Sequence, residues 1–202
     1  MKVGERLLCS LLFVVLGAAV YYTESVRMLL SLFAAVAVHE LCHVAAICLL
    51  RCRPTAISVE PGGFRIEYRG RDDSLAACVI ALAGPLGGAL LGAGTLILCR
   101  LSGSPVLLPF AELNLLLSAF NLMPILPLDG GRVLLALSSK MLGADHGTDF
   151  SFRVSHICTL MLLLLGGLCL YFGDGSAVLL AGIWLLCLQK GERPLAKGTE
   201  MG

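Results

Sequence analysis

Charge is what this sequence has least of. Only 14% of its 202 residues are Asp, Glu, Lys or Arg, against about 25% in a soluble domain. That shortage, with 57% hydrophobic residues and a mean hydropathy of +0.89, excludes a water-soluble globule. It predicts an all-α polytopic membrane protein. The net charge is +1, so no basic surface invites nucleic acid. A disulfide framework is missing too. The nine cysteines are odd in number and lack framework spacing, and most lie in apolar runs, where Cys packs as a small hydrophobe. Cys48 and Cys52 invite a metal reading, but no second close pair follows, so packing is the expectation. The length leaves no room for a large additional domain.

Apolar runs cover 7–22, 28–50, 74–99, 105–123, 154–172 and 176–189. A spanning helix needs about 20 residues, so the pattern predicts about six transmembrane helices, the fourth interrupted and the last short. Residues 2–20 share features with a secretory signal. They are expected to stay as the first span, because the parity then fits the charges. Of 15 Lys and Arg residues, only Arg27 and Arg100 fall in the first-to-second, third-to-fourth and fifth-to-sixth connections. Positive-inside bias then places both termini in the cytoplasm.

The connection 51–73 carries Arg51, Arg53, Arg65, Arg69 and Arg71. These set topology and meet anionic headgroups; gripping an acidic substrate segment is the alternative. Within it Ile57, Val59, Phe64, Ile66 and Tyr68 alternate with polar neighbours around Pro61-Gly62-Gly63. That alternation predicts a short β-hairpin at about 55–69, on the cytoplasmic membrane face. It is either an ordinary connection or an exposed edge that pairs with an extended peptide.

The chemistry lies in the second run, at His39-Glu40-Leu41-Cys42-His43. Histidines four apart project from one helix face and can bind one Zn²⁺ at about 2.0–2.1 Å. Zinc lowers the pKa of its water toward about 7. Glu40 could take that water's proton as hydroxide attacks a peptide carbonyl, then pass it to the leaving amine. By itself the motif is common on polar faces of soluble helices. Here residues 34–50 are otherwise Ala, Val, Leu, Ile and Cys, and each ionisable group at membrane depth costs about 2.5–3.5 kcal/mol. A satisfied hydrogen-bond cluster is the competing explanation.

Two histidines do not complete a catalytic zinc site, which commonly has three protein ligands. The candidate carboxylates are Glu112 and Asp129. Asp129 ends the run Asn121-Leu122-Met123-Pro124-Ile125-Leu126-Pro127-Leu128-Asp129, followed by Gly130-Gly131. Two prolines and two glycines break a helix there. Broken backbone at membrane depth lies against protein or a wet cavity, so Asp129 can reach a pocket. Glu112 lies toward the other face and reads as interfacial or hydrogen-bonded. Asn121 could satisfy an unwound peptide or make an interhelical hydrogen bond. His146 reads as a solvated loop residue in the polar stretch Gly143–Asp149, and His156 as interfacial beside Arg153.

His39-Glu40-x-x-His43, followed by Asp129 in Asn-x-x-Pro-x-x-Pro-Leu-Asp-Gly-Gly, resembles the site-2 protease family. These are intramembrane zinc metalloproteases that cut transmembrane or membrane-associated regulatory proteins. The likeness covers essentially the whole chain and is greatest to the sporulation branch, whose stage IV protease processes an inactive sigma-factor precursor. It implies His39, His43 and Asp129 as zinc ligands, Glu40 as catalytic acid/base and Asn121 as a holder of the substrate backbone. It implies one metalloprotease domain over 1–202, with a broken helix at about 121–132. The implied partners are the lipid bilayer, a protein substrate with a membrane-associated or transmembrane segment, and inhibitory membrane proteins. The implied location is a bacterial cell membrane or forespore membrane.

The sequence departs from the family pattern in places. Gly88 closes Ala83-Gly84-Pro85-Leu86-Gly87-Gly88 where the family usually has Asn, which puts one polar contact near the site in doubt. Neither a PDZ-like insertion nor a carboxy-terminal nucleotide-sensing domain is expected, so neither is regulation by ATP. Three other readings compete. A metal transporter would need polar residues on several spans, and the first, third, fifth and sixth are nearly devoid of them. A non-catalytic substrate-binding relative would not need the intact Glu40. A prenyl-protein zinc protease would not be expected to carry Pro-Leu-Asp-Gly-Gly.

Overall fold

A computed structural model of the chain describes residues 25–60, 63–69, 74–173 and 176–192. The described residues form six helices and one antiparallel strand pair: α1 (Val26–Leu49), β1 (Arg53–Glu60), β2 (Gly63–Arg69), α2 (Ser74–Ser102), α3 (Leu108–Asn121), α4 (Asp129–Leu142), α5 (Ala144–Tyr171) and α6 (Ser176–Glu192). Helices α1, α2 and α5 are long and apolar enough to cross a membrane. The 24 residues of α1 rise about 36 Å, more than the hydrocarbon core of about 30 Å.

Burial in these helices is inverted relative to a soluble protein. Helix α1 buries Ala35, His39, His43, Ala46 and Ile47, while Val26, Leu30, Phe33, Leu41 and Leu49 face outward. Helix α5 buries Gly147, Ser151, Ser155, Thr159 and Gly166 and exposes Ile157, Leu160, Met161, Leu164 and Leu168. Small and polar residues inside with large apolar residues outside is the pattern of helices packed in lipid. No hydrophobic force draws such helices together, and close backbone approach takes its place.

Ser25 starts α1, its hydroxyl accepting from the Met28 amide at 3.3 Å. Arg51 ends the helix in the left-handed region (φ 56), and the Cys52 amide returns to the Ile47 carbonyl at 3.0 Å. Cys52 then packs with Ala46, Ile47 and Ile80, whereas Cys48 is exposed. The two do not form a metal pair, and the described cysteines are all free. The strands pair antiparallel with Ile57 opposite Ile66 and Val59 opposite Phe64, the register slipping between Pro54 and Ala56.

Helix α2 packs against α1, α3 and α4; α5 packs against α4 and α6. The run expected over 7–22 lies outside the described residues. The run expected over 105–123 is helical only from Leu108 to Asn121, with proline in its first turn. The final run yields an apolar stretch, Ala177–Gln189, shorter than a full span.

Two expectations need correction. The break is shorter than 121–132, because Asp129 already begins α4. The stretch Gly143–Asp149 is not a loop: α5 starts at Ala144, ten residues before its apolar run. The reason is local packing. Gly147 lies so close to Ser139 that a Cβ there would fall on that residue's backbone. Ser138 Oγ and Ser151 Oγ lie 2.7 Å apart and each 2.9 Å from the Gly147 carbonyl oxygen, so one hydroxyl donates to that carbonyl and the other to its neighbour's oxygen. This polar seam zips α4 to α5 where hydropathy reads only a polar connection.

Candidate metal centre

Two elements deliver three buried side chains to one point. Helix α1 presents His39 and His43, 5% and 7% exposed, and the first residue of α4 presents Asp129, 5% exposed. Asp129 Oδ2 lies 3.0 Å from His39 Nε2 and 3.2 Å from His43 Nε2. The two Nε2 atoms are 3.1 Å apart. The corners of a zinc tetrahedron with ligand bonds of about 2.0–2.1 Å lie about 3.3 Å apart, close to this triangle.

With neutral imidazoles and an ionised carboxylate, hydrogen atoms alone leave it unsatisfied. His43 Nδ1 lies 2.7 Å from the Ile80 carbonyl, which can only accept, so Nδ1 carries the proton and Nε2 of the neutral ring presents a lone pair. A proton on His39 Nε2 could serve His43 or Asp129. Either way His43 Nε2 faces the Asp129 carboxylate as acceptor against acceptor. His39 Nδ1 is buried without a hydrogen-bond partner among the described residues. A cation within the triangle removes the conflict at all three corners, and two imidazoles with a carboxylate are a zinc-type donor set.

Helix α2 closes over this point through a glycine. A Cβ on Gly84 would fall on His43 Nε2 and lie 2.9 Å from His39 Cε1. No other residue type lets the α2 backbone pass so close. The neighbouring Ile80 carbonyl fixes the His43 tautomer and ring orientation, the usual duty of a partner behind a metal-binding imidazole.

Glu40 is half-buried beside the two histidines and within electrostatic range of His39, His43, Asp129 and Arg132. No hydrogen bond ties its carboxylate among the described residues. Arg132 sits one turn into α4, its Nη1 3.7 Å from Asp129 Oδ1. This ion pair leaves Oδ2 for the triangle.

Asn121, the last residue of α3, donates from Nδ2 to the Leu117 carbonyl at 3.0 Å and makes no hydrogen bond to the triad. Glu112 is exposed on α3. His146 is exposed in the first turn of α5, and His156 is half-buried on the same helix.

An asparagine at Gly88, as in the family pattern, would displace the Ser118 side chain. A Cβ there would lie 2.7 Å from Ser118 Oγ and 3.7 Å from Asn114 Oδ1. Asn114 is 1% exposed and donates to the Phe110 carbonyl at 2.8 Å, while its Oδ1 has no partner among the described residues. A carboxamide therefore does stand in this gap, supplied by α3 instead of α2. Neither Asn114 nor Arg132 stands out in the sequence. Asn114 has no motif around it, and Arg132 stands directly after one.

Comparison with known proteins agrees with this geometry. A model of the family described as Peptidase M50B-like matches residues 8–140. The chain belongs to this family. A zinc metalloprotease of Methanocaldococcus jannaschii is 37% identical over 92 residues, 43% of this chain and 27% of the relative. Stage IV sporulation protein FB of Bacillus subtilis is 29% identical over 153 residues, 74% of this chain and 53% of the relative. The chain thus spans from about a quarter to about half the length of these two M50B-like relatives. The solved site-2 protease from M. jannaschii superposes with a TM-score of 0.70 at 26% identity, covering 94% of this chain and 89% of that one. Together with the three apolar helices, family membership makes this a membrane protein.

Proposed function

We propose that the protein is an intramembrane zinc endopeptidase, with His39, His43 and Asp129 as metal ligands and Glu40 as the catalytic acid/base. The observation that carries this reading is the buried triangle of two Nε2 atoms and one Oδ2 at 3.0–3.2 Å, which one cation satisfies at all three corners. Zinc bound there would polarise a scissile carbonyl and lower the pKa of water toward about 7.

The chain's own residues do the rest. Glu40 accepts the proton of the attacking water and returns it to the leaving amine. Ile80 holds His43 in the tautomer that faces the ion. The burial of the triad keeps bulk water from competing, which strengthens each charge interaction. A helical substrate must unwind to expose its carbonyl. The hairpin edge at 55–69 could then hold it extended by main-chain hydrogen bonds, with Asn121 turning from Leu117 to meet its backbone.

The substrate class is a regulatory protein with a membrane-associated or transmembrane segment. Similarity to stage IV sporulation protein FB over 74% of the chain favours a sporulation setting and a sigma-factor precursor. Residues 1–202 would act as one metalloprotease unit with six spans, the first at 7–22. Both termini and the hairpin would face the cytoplasm of a bacterial cell or forespore membrane. Support for that orientation is the scarcity of Lys and Arg on the opposite side, where Arg27 and Arg100 stand alone.

The test is co-expression with candidate sigma-factor precursors. Wild-type protein should shorten one of them, and Glu40→Gln should abolish cleavage while retaining zinc by metal analysis. Undiminished cleavage by Glu40→Gln would falsify the assignment of the acid/base.

A further inference from the structure

The segment that carries Asp129 is folded almost entirely upon itself. The Leu122 and Met123 amides donate back to the Ser118 and Phe120 carbonyls, Ile125 donates to Met123 at 2.7 Å, and Leu128 donates to Ile125 at 2.8 Å. Pro124 and Pro127 have no amide hydrogen. One donor remains, the Leu126 amide. It goes to Ser155 Oγ on α5, at 2.7 Å. Among the described residues this is the only backbone amide from 122 to 128 satisfied beyond the segment itself and the helix α3 that leads into it, and it lies three residues before the metal ligand.

Ser155 is itself held. Gln189 on α6 donates from Nε2 to Ser155 Oγ at 3.0 Å and to Thr159 Oγ1 at 2.6 Å. Thr159 Oγ1 donates to the Ser155 carbonyl at 2.9 Å. Ser155, Thr159 and Gln189 are each fully buried. Around them Ile125 and Leu128 of the segment pack with Leu185, flanked by Cys158, Leu162 and Trp184. The apolar contacts seat the segment, but they are compatible with small slides along α5. A 2.7 Å hydrogen bond to one backbone atom is not.

We infer that Ser155, oriented by Gln189 and Thr159, is a latch that positions Asp129 through the Leu126 amide. These three are positioning residues, and none touches the triad. The alternative is ordinary interhelical glue, for which buried Ser, Thr and Gln are also used. The molecule contains its own comparison. Ser151 lies one turn earlier on α5, is equally buried and bonds Ser138 and the Gly147 carbonyl. It has the same chemistry but meets α4 at Ser138, nine residues beyond Asp129 (138 − 129), and makes no hydrogen bond to residues 122–128.

The inference rests on the zinc reading, and zinc release separates the two. Purified protein in detergent is loaded with zinc, then mixed with excess 4-(2-pyridylazo)resorcinol, and release is timed. Ser155→Ala should release zinc about 10-fold or more faster than wild type, the scale of lost outer partners at metal sites. Ser151→Ala should stay within about twofold, since its lost bonds touch no partner of the metal. Gln189→Leu should accelerate release, and adding it to Ser155→Ala should add little, because both act on the same contact. The cobalt-substituted proteins give a second readout: the visible spectrum should change in Ser155→Ala and Gln189→Leu but not in Ser151→Ala. Should Ser155→Ala fail to fold, Gln189→Leu carries the test alone. Equal release from Ser155→Ala and Ser151→Ala, or multiplying effects in the double variant, would overturn the latch and leave the metal site standing. Wild-type protein that takes up no zinc would overturn both.

Discussion

At the scale of single residues, the centre depends on one missing atom as much as on the atoms present. The imidazoles and carboxylate can converge because Gly84 leaves the α2 backbone free to close over them. A methyl group there has nowhere to go: it would fall on His43 Nε2, with His43 Cε1 at 2.6 Å. Gly84→Ala should therefore push the His43 ring off its Ile80 anchor, lower zinc occupancy well below one per chain and destabilise the protein by about 1–3 kcal/mol, as overpacking does. Gly94 lies on the same helix with nothing within 4 Å of a Cβ, so Gly94→Ala should keep full zinc and cost nothing. Metal analysis and thermal unfolding of both variants check this, and normal zinc occupancy in Gly84→Ala would show that the close approach is not required.

At the scale of elements, the α2–α3 interface replaces a side chain with a partner helix. Gly88 lets Ser118 and Asn114 of α3 occupy the gap, and Ser118 Oγ donates to the Asn114 carbonyl at 2.7 Å. Restoring the family pattern by Gly88→Asn should destabilise the protein by about 1–3 kcal/mol. Combining it with Ser118→Ala should recover part of that loss, since the two sites share one space. Additive losses in the double variant, read by thermal unfolding, would refute the exchange. The same interface shows what a sequence discloses and what it hides. His39, Glu40, His43 and Asp129 were legible because ionisable groups are rare and costly in apolar runs. The strand pairing at Ile57 and Val59 was legible because alternation has one period. Helix α4 and the early start of α5 were not: their seam is built from Ser138, Gly147 and Ser151, small residues that carry no apolar signal until their partners are known. Ser155 and Gln189 were illegible for the same reason, each being a lone polar residue whose meaning lies across the fold.

At the scale of the whole molecule, the proposed ion is a cross-link. His43 and Asp129 are 86 positions apart, on α1 and on a segment that the α5–α6 pair holds in place. In a membrane protein whose helices meet largely through small residues, few contacts bind α1 to α4 as directly. Zinc that binds only the folded state adds stability as its concentration exceeds the dissociation constant, about 2.7 kcal/mol at a hundredfold excess. Chelation should therefore lower the unfolding temperature of the detergent-solubilised protein by several degrees, and added zinc should restore it. The shift should vanish in His39→Ala and in Asp129→Ala, which each remove one corner of the triangle. It should persist in Glu40→Gln, which removes only the base. A zinc-dependent shift that survives in both ligand variants would place the metal elsewhere in the molecule and sink the cross-link.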